Sequence, residues 1–179
     1  MNEVAIDLAA SHLETQESAL EVSEERPAEL RRLFPEWRFW SVSDGMMPPR
    51  TVALATRGSE ASLVSVDDGL AQVFASTPIQ SLDVGVAERL VEEFIAMALP
   101  TSEVLTSLDE IPGLSDAEKQ HWEHRIGKPR SVRSGAAVII DGWLWDNGFV
   151  RSAQFQVAPG GISTSLGDPE PLGLSLSIE

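Results

Sequence analysis

The stretch His121-Trp122-Glu123-His124 carries the one close pair of histidines in the chain. Two imidazoles three positions apart on a helix share a face and could hold a metal with a third ligand. Metalloprotease helices, however, space their histidines four apart around a glutamate, and neither that spacing nor that order is present. The plain alternative is two surface histidines in a charged helix. Asp141 lies two residues from both Ile139 and Trp143, on one face of an apolar segment. A carboxylate half-buried there would have a raised pKa and could act as a general acid or base with His121, His124 or an arginine. Gly142 beside it can mark a bulge that would turn Asp141 toward solvent or a backbone donor.

Other residues suit binding better than catalysis. Trp143 and Trp145 share a strand face: on an open face they form a flat anchor, and on a closed one they are core. Met46 and Met47 sit beside Pro48 and Pro49, which pairs adaptable side chains with a restricted backbone; an ordinary loop with its methionines tucked into the core edge is the alternative. Glu88, Glu92 and Glu93 form the acidic face of a strong helix pattern and are expected to meet a partner. Arg125, Lys128, Arg130 and Arg133 make the one basic run, which complements a helix C-terminus or, more sharply, receives an anion or acidic substrate.

The chain has 28 acidic and 13 basic side chains, a net charge of −15 on 179 residues. Residues 1–30 and 83–124 hold most of the acids, and 31–57 and 125–151 are net basic. A field of this sign disfavours nucleic acid and anionic membrane and favours a basic protein partner. The absence of cysteine excludes disulfides, thiolate nucleophiles and zinc–cysteine or iron–sulfur centres. No Gly-rich phosphate loop or nucleophile elbow occurs, so neither cofactor nor metal is expected. The start of the chain lacks a basic region followed by an apolar core, and no apolar run reaches the ~20 residues of a membrane span, which points to a cytoplasmic protein. Arginine far outnumbers lysine, a bias of GC-rich bacterial genomes.

The elements that must position these residues follow from periodicity. Ile6, Ala9, Ala10 and Leu13 predict an amphipathic helix over residues 3–20, with Glu14 to Glu25 as its solvated end. Pro27 starts a short helix through Leu33, and Pro35 ends it. Residues 37–42, 51–56 and 61–66 read as strands joined by turns at Asp44-Gly45 and Arg57-Gly58-Ser59-Glu60, with a further short strand over 71–74. Leu90, Val91, Phe94, Ile95 and Ala98 mark the best helix, 82–99, with Ser81 as its cap and Pro100 as its stop. An acidic connector leads to a capping box, Ser115 and Glu118, opening a helix that ends near Gly127. Residues 136–145 and 149–157 flank Asp146-Asn147-Gly148 as a hairpin. The first of these strands is apolar on both parities and therefore central, while the second alternates Ala153, Phe155 and Val157 with a wet face. A loop over 158–171 precedes a last alternating strand through Leu172, Leu174, Leu176 and Ile178.

Helices bracketing hairpins give an α+β class: an antiparallel sheet of about five to seven strands packed on one long helix, with an N-terminal helix and a short acidic helix. Residues 1–26 are expected as an acidic arm and 27–179 as one domain. Small secretion chaperones and many bacterial immunity proteins share this build and acidity, an analogy of fold and not of motif. The leading expectation is a non-catalytic acidic module that binds a basic partner. The alternatives are a small cytoplasmic enzyme with a carboxylate–histidine site and a self-associating component, for instance a homodimer.

Overall fold

The computed structural model describes residues 1–77, 79, 82–111, 113–146 and 148–172. In chain order the elements are α1 (Glu3–Leu13), β1 (Glu21–Glu25), α2 (Ala28–Leu33), β2 (Arg38–Ser43), β3 (Thr51–Arg57), β4 (Glu60–Val64), α3 (Ala71–Ser76), α4 (Val84–Ala98), β5 (Ser102–Leu105), α5 (Asp116–Trp122), β6 (Arg130–Ser134), β7 (Ala137–Asp146), β8 (Phe149–Ala158), β9 (Gly161–Leu166) and β10 (Glu170–Pro171). The protein is α+β, with antiparallel sheets covered by a long helix. The strands divide between two sheets: β1-β2-β3-β4 in order, and a second sheet built on the β7–β8 hairpin, with β5 and β6 along the far side of β7 and β9 and β10 along β8.

α4 organises both sheets. Asp83 caps it, its side chain accepting from Val86 N at 3.0 Å, and it stops before Pro100. Ser81, the cap expected from the sequence, lies outside the described residues, as do Asn147 and residues 174–178 of the expected last strand. The buried stripe Ala87, Leu90, Val91, Phe94, Ile95 and Met97 joins one core with Phe39, Ala53, Ala55 and Val64 of the first sheet and Val138, Ile140, Leu144, Phe155 and Val157 of the second. Burying apolar area on this scale, at about 25 cal/mol per Å², is what holds the two sheets on one helix.

Residues 1–26 contribute an element to each layer of the first sheet. Ala5, Ala9 and Leu13 of α1 pack on Val42, Val52 and Leu54, so Ala5 joins the expected stripe while Ile6 is only half-buried, and the small side chains of Ala5 and Ala9 let the helix lie close. Asn2 caps α1 by accepting from Ala5 N at 2.9 Å and donates to Gly58 O at 2.6 Å, which ties the helix start to the β3–β4 turn. Glu21–Glu25, expected as the solvated end of this helix, instead forms β1 and pairs with all but the first residue of β2.

Four further expectations are corrected. Residues 71–76 form helix α3 and not a strand: Gly69, at φ +52°, presses its backbone against Ile162, whose N–H donates to Gly69 O at 2.9 Å, and the chain turns into a helix to seat Val73 and Phe74 in the core. The acidic connector contains β5, and the loop after 158 contains β9 and β10. Gly142 makes no bulge, since the β7–β8 register runs unbroken from Val138↔Val157 to Asp146↔Phe149. It marks the place where the neighbour of β7 changes from β6 to β5, with the Pro129 ring against the space a side chain would need.

Candidate functional site

Two surfaces gather the residues singled out by sequence. The first is the β1 edge of the first sheet, whose other edge is β4. β1 ends the strand order, so among the described residues no strand pairs with one row of its main-chain groups, and Glu21, Val22, Ser23 and Glu24 are exposed. Beside its start, where Glu21 pairs with Ser43, lies the loop carrying Met46 and Met47. These methionines are 59% and 95% exposed, so they do not tuck into the core edge. The loop is nonetheless held from beneath: Asp44 is buried and accepts from Met46 N at 3.1 Å, Arg50 N at 3.0 Å and Arg50 Nε at 2.6 Å. The Arg50 guanidinium, with the two backbone donors adding to it, keeps the Asp44 carboxyl below its ordinary pKa. A groove of about 430 Å³ lies between this end of the sheet and α4, with apolar walls from Ala53, Ala96, Met97, Pro27 and Pro100 and with Glu25, Arg26 and Glu93 also lining it.

The α4 glutamates are not a free acidic face. Glu93 reaches the N-terminus of α2 and accepts from Glu29 N at 2.8 Å and Leu30 N at 2.9 Å. Pro27, the N-cap residue of α2, offers no side-chain acceptor, so Glu93 caps that helix from another element. Glu88 accepts from the Ser131 hydroxyl at 2.7 Å, while Arg89 binds Glu29 at 2.6 Å. Glu92 alone of the three is exposed.

The second surface lies on the outer face of the second sheet. Part of that face is covered: Trp122 and Ile126 close over Val150, Leu105 and Leu172, with Trp143 and Trp145 packed at the margin. The capping box is present as expected, Glu118 accepting from Ser115 N at 2.7 Å, and it starts the helix that delivers Trp122. Trp143 and Trp145 are half-buried and packed against the cluster that α5 closes, so the face they share is partly covered by a helix. Trp143 meets the edge of Trp122 at 6.1 Å, and Arg125 lies over both rings at 4.6 and 5.2 Å. Arg125 also pairs with Glu170, whose carboxyl it holds below its ordinary pKa while its own is raised in return.

The uncovered part of the face bounds a cavity of about 720 Å³. Asp141 and His124 both line it, whereas His121 lies outside against the Trp122 ring. Asp141 is exposed and accepts from Gln154 Nε2 at 2.7 Å, so the half-buried carboxylate expected from the sequence is corrected: α5 stops short of this part of β7. Arg130 and Arg133 lie on β6 and not at a helix terminus, and Arg133 donates to Leu82 O, outside the cavity. Among the described residues no group of three or more His, Cys, Asp or Glu side chains is placed to hold a metal. No helix of the described residues is long and apolar enough to cross a membrane.

The sequence reading missed β1 as an edge and Ser152, Gln154 and Ser165 as cavity floor. The alternation of β8 already placed Ser152 and Gln154 on a wet face, whereas β1 offers a single β-branched residue, Val22, and gave no such signal. The chain matches no family model, no curated protein and no solved structure.

Proposed function

We propose that this protein is a non-catalytic, acidic binding module, of the immunity-protein or secretion-chaperone kind, that takes a basic extended segment of a partner protein along the edge of β1. The observation that carries the reading is the open acidic edge strand with two exposed methionines at its start. An unpaired strand edge is a template for a further strand: main-chain bonds supply affinity and alternate side chains supply selection. Glu21, Glu24 and Glu25 repel a second copy of the same edge and attract a basic one. Met46 and Met47 adapt to an irregular partner, and their loop, already ordered by Asp44, loses little entropy on docking. The groove beyond β1 suits the methylene stem of a lysine or arginine, with Glu25 and Glu93 set against Arg26 among its charged lining.

Affinity capture from the native host at low and high salt, run with the full chain and two variants, tests this. A basic protein retained at low salt by the wild type, and lost from both Met46→Ser/Met47→Ser and Glu21→Lys/Glu24→Lys, is the expected result. Retention by both variants moves the interface off β1 and overturns the reading, and dimers of the wild type in gel filtration that the Glu→Lys variant abolishes replace it with self-association. A second reading, a small enzyme with an acid–base pair, draws on one observation: Asp141 and His124 line the same cavity.

A further inference from the structure

The cavity on the second sheet has a chemistry unlike the rest of the molecule. On a chain of net charge −15 its lining includes Arg125, Lys128 and Arg130 against Glu123 and Asp141. Arg125 is held by Glu170, but Lys128 and Arg130 make no ion pair among the described residues. Most other cations of the chain are paired with a carboxylate, so Lys128 and Arg130 are the cations of this cavity left to meet an anion, on a lining where Glu123 and Asp141 bring their number of charges into balance.

The floor beneath them is built by strand register. Arg130 faces Asp141, Asp141 faces Gln154 and Gln154 faces Ser165, a row of four side chains across β6, β7, β8 and β9 on one face of the sheet. One step along, Ser152 faces Trp143. Gly167 donates to Ser152 O at 2.9 Å, and a side chain there would collide with the Ser152 hydroxyl, so the glycine leaves that hydroxyl at the cavity surface. The row offers a carboxylate acceptor, an amide already oriented by its bond to Asp141 and two hydroxyls, all on rigid strands. A volume of about 720 Å³ falls in the range of small-ligand sites.

We propose that this cavity binds a small hydroxylated anion, a phosphate or carboxylate carried on a sugar or polyol. Lys128 and Arg130 take the anionic group by charge-assisted hydrogen bonds, Arg130 as a planar fork. Asp141, Gln154, Ser152 and Ser165 exchange hydrogen bonds with the hydroxyls, since a carboxylate accepts what a hydroxyl donates and an amide does both. The site is independent of the β1 edge.

Nuclear magnetic resonance titration of the ¹⁵N-labelled full chain tests it, with ribose 5-phosphate, gluconate, inorganic phosphate and ribose as probes. Ribose 5-phosphate or gluconate is expected to shift amides around Gly127, Ser152, Gln154 and Ser165, whichever responds naming the anionic group; inorganic phosphate is expected to bind more weakly and ribose not at all. Lys128→Gln with Arg130→Gln raises the dissociation constant roughly tenfold or more, the worth of one charge-assisted bond. Asp141→Asn weakens the hydroxylated anion and leaves inorganic phosphate unchanged. All three side chains are exposed, so the variants should keep the wild-type melting curve. No cavity shifts with any probe up to about 10 mM, where binding is worth little, or shifts that persist in the double variant, overturn the proposal.

Discussion

Single side chains here hold positions that helix and strand patterns cannot supply. Glu93 is the clearest case, because both its oxygens satisfy N–H groups at the start of α2. Glu93→Ala should lower stability in denaturant by about 1–2 kcal/mol, the usual cost of a lost N-cap, while Glu92→Ala on the exposed side of the same helix should be neutral. An equal effect of the two would remove the capping role. Asp44 makes a prediction about pH. Its carboxyl is depressed when folded, so the stability it contributes is full above the ordinary aspartate value, ~3.9, and is lost as pH falls through the lower folded value. The melting temperature of Asp44→Asn should lie below that of the wild type at neutral pH and converge with it in acid. A gap that is constant from pH 7 to about 2 would show that the charge of Asp44 contributes nothing.

Among the elements, those with a local signature were legible. The stripe of α4, the capping box of α5 and the β7–β8 hairpin each follow from residues within one or two turns of one another. Polar edge strands were not. β5 and β9, Ser102–Leu105 and Gly161–Leu166, become strands because the central hairpin presents free edges to them, a cause that lies outside their own residues. The apolar run of α3 fits either period at six residues, and its contact with β9 decides. The segment around α5 is a lid over Val150, Leu172 and the two tryptophans, with Trp122 as its only large buried ring. Trp122→Ala should cost about 3–5 kcal/mol, as for other buried aromatics, with loss of protection from hydrogen exchange concentrated in residues 108–126. Unchanged protection there would mean that the lid is held by Arg125–Glu170 instead.

At the scale of the whole molecule, acidity has two consequences that separate by experiment. Fifteen uncompensated charges within a few Debye lengths repel one another, so raising sodium chloride to about 0.5 M should increase the melting temperature. A decrease would show that the ion pairs, Asp44–Arg50 and Arg89–Glu29 among them, outweigh the repulsion. Partner binding at the acidic edge should weaken over the same range, because complementary charge acts mainly on encounter. The sequence by itself determined the α+β class, the long helix, the central hairpin and the sign of the field, since each depends on spacing along the chain or on a sum over it. Only the tertiary structure decided that the strands form two sheets, that Glu88 and Glu93 are tied to β6 and α2 while Met46 and Met47 stand free, and that Arg130, Asp141, Gln154 and Ser165 form one row. Those outcomes depend on which strand edges and helix ends meet across tens of residues, and side chains find such partners only once the core around α4 has brought them together.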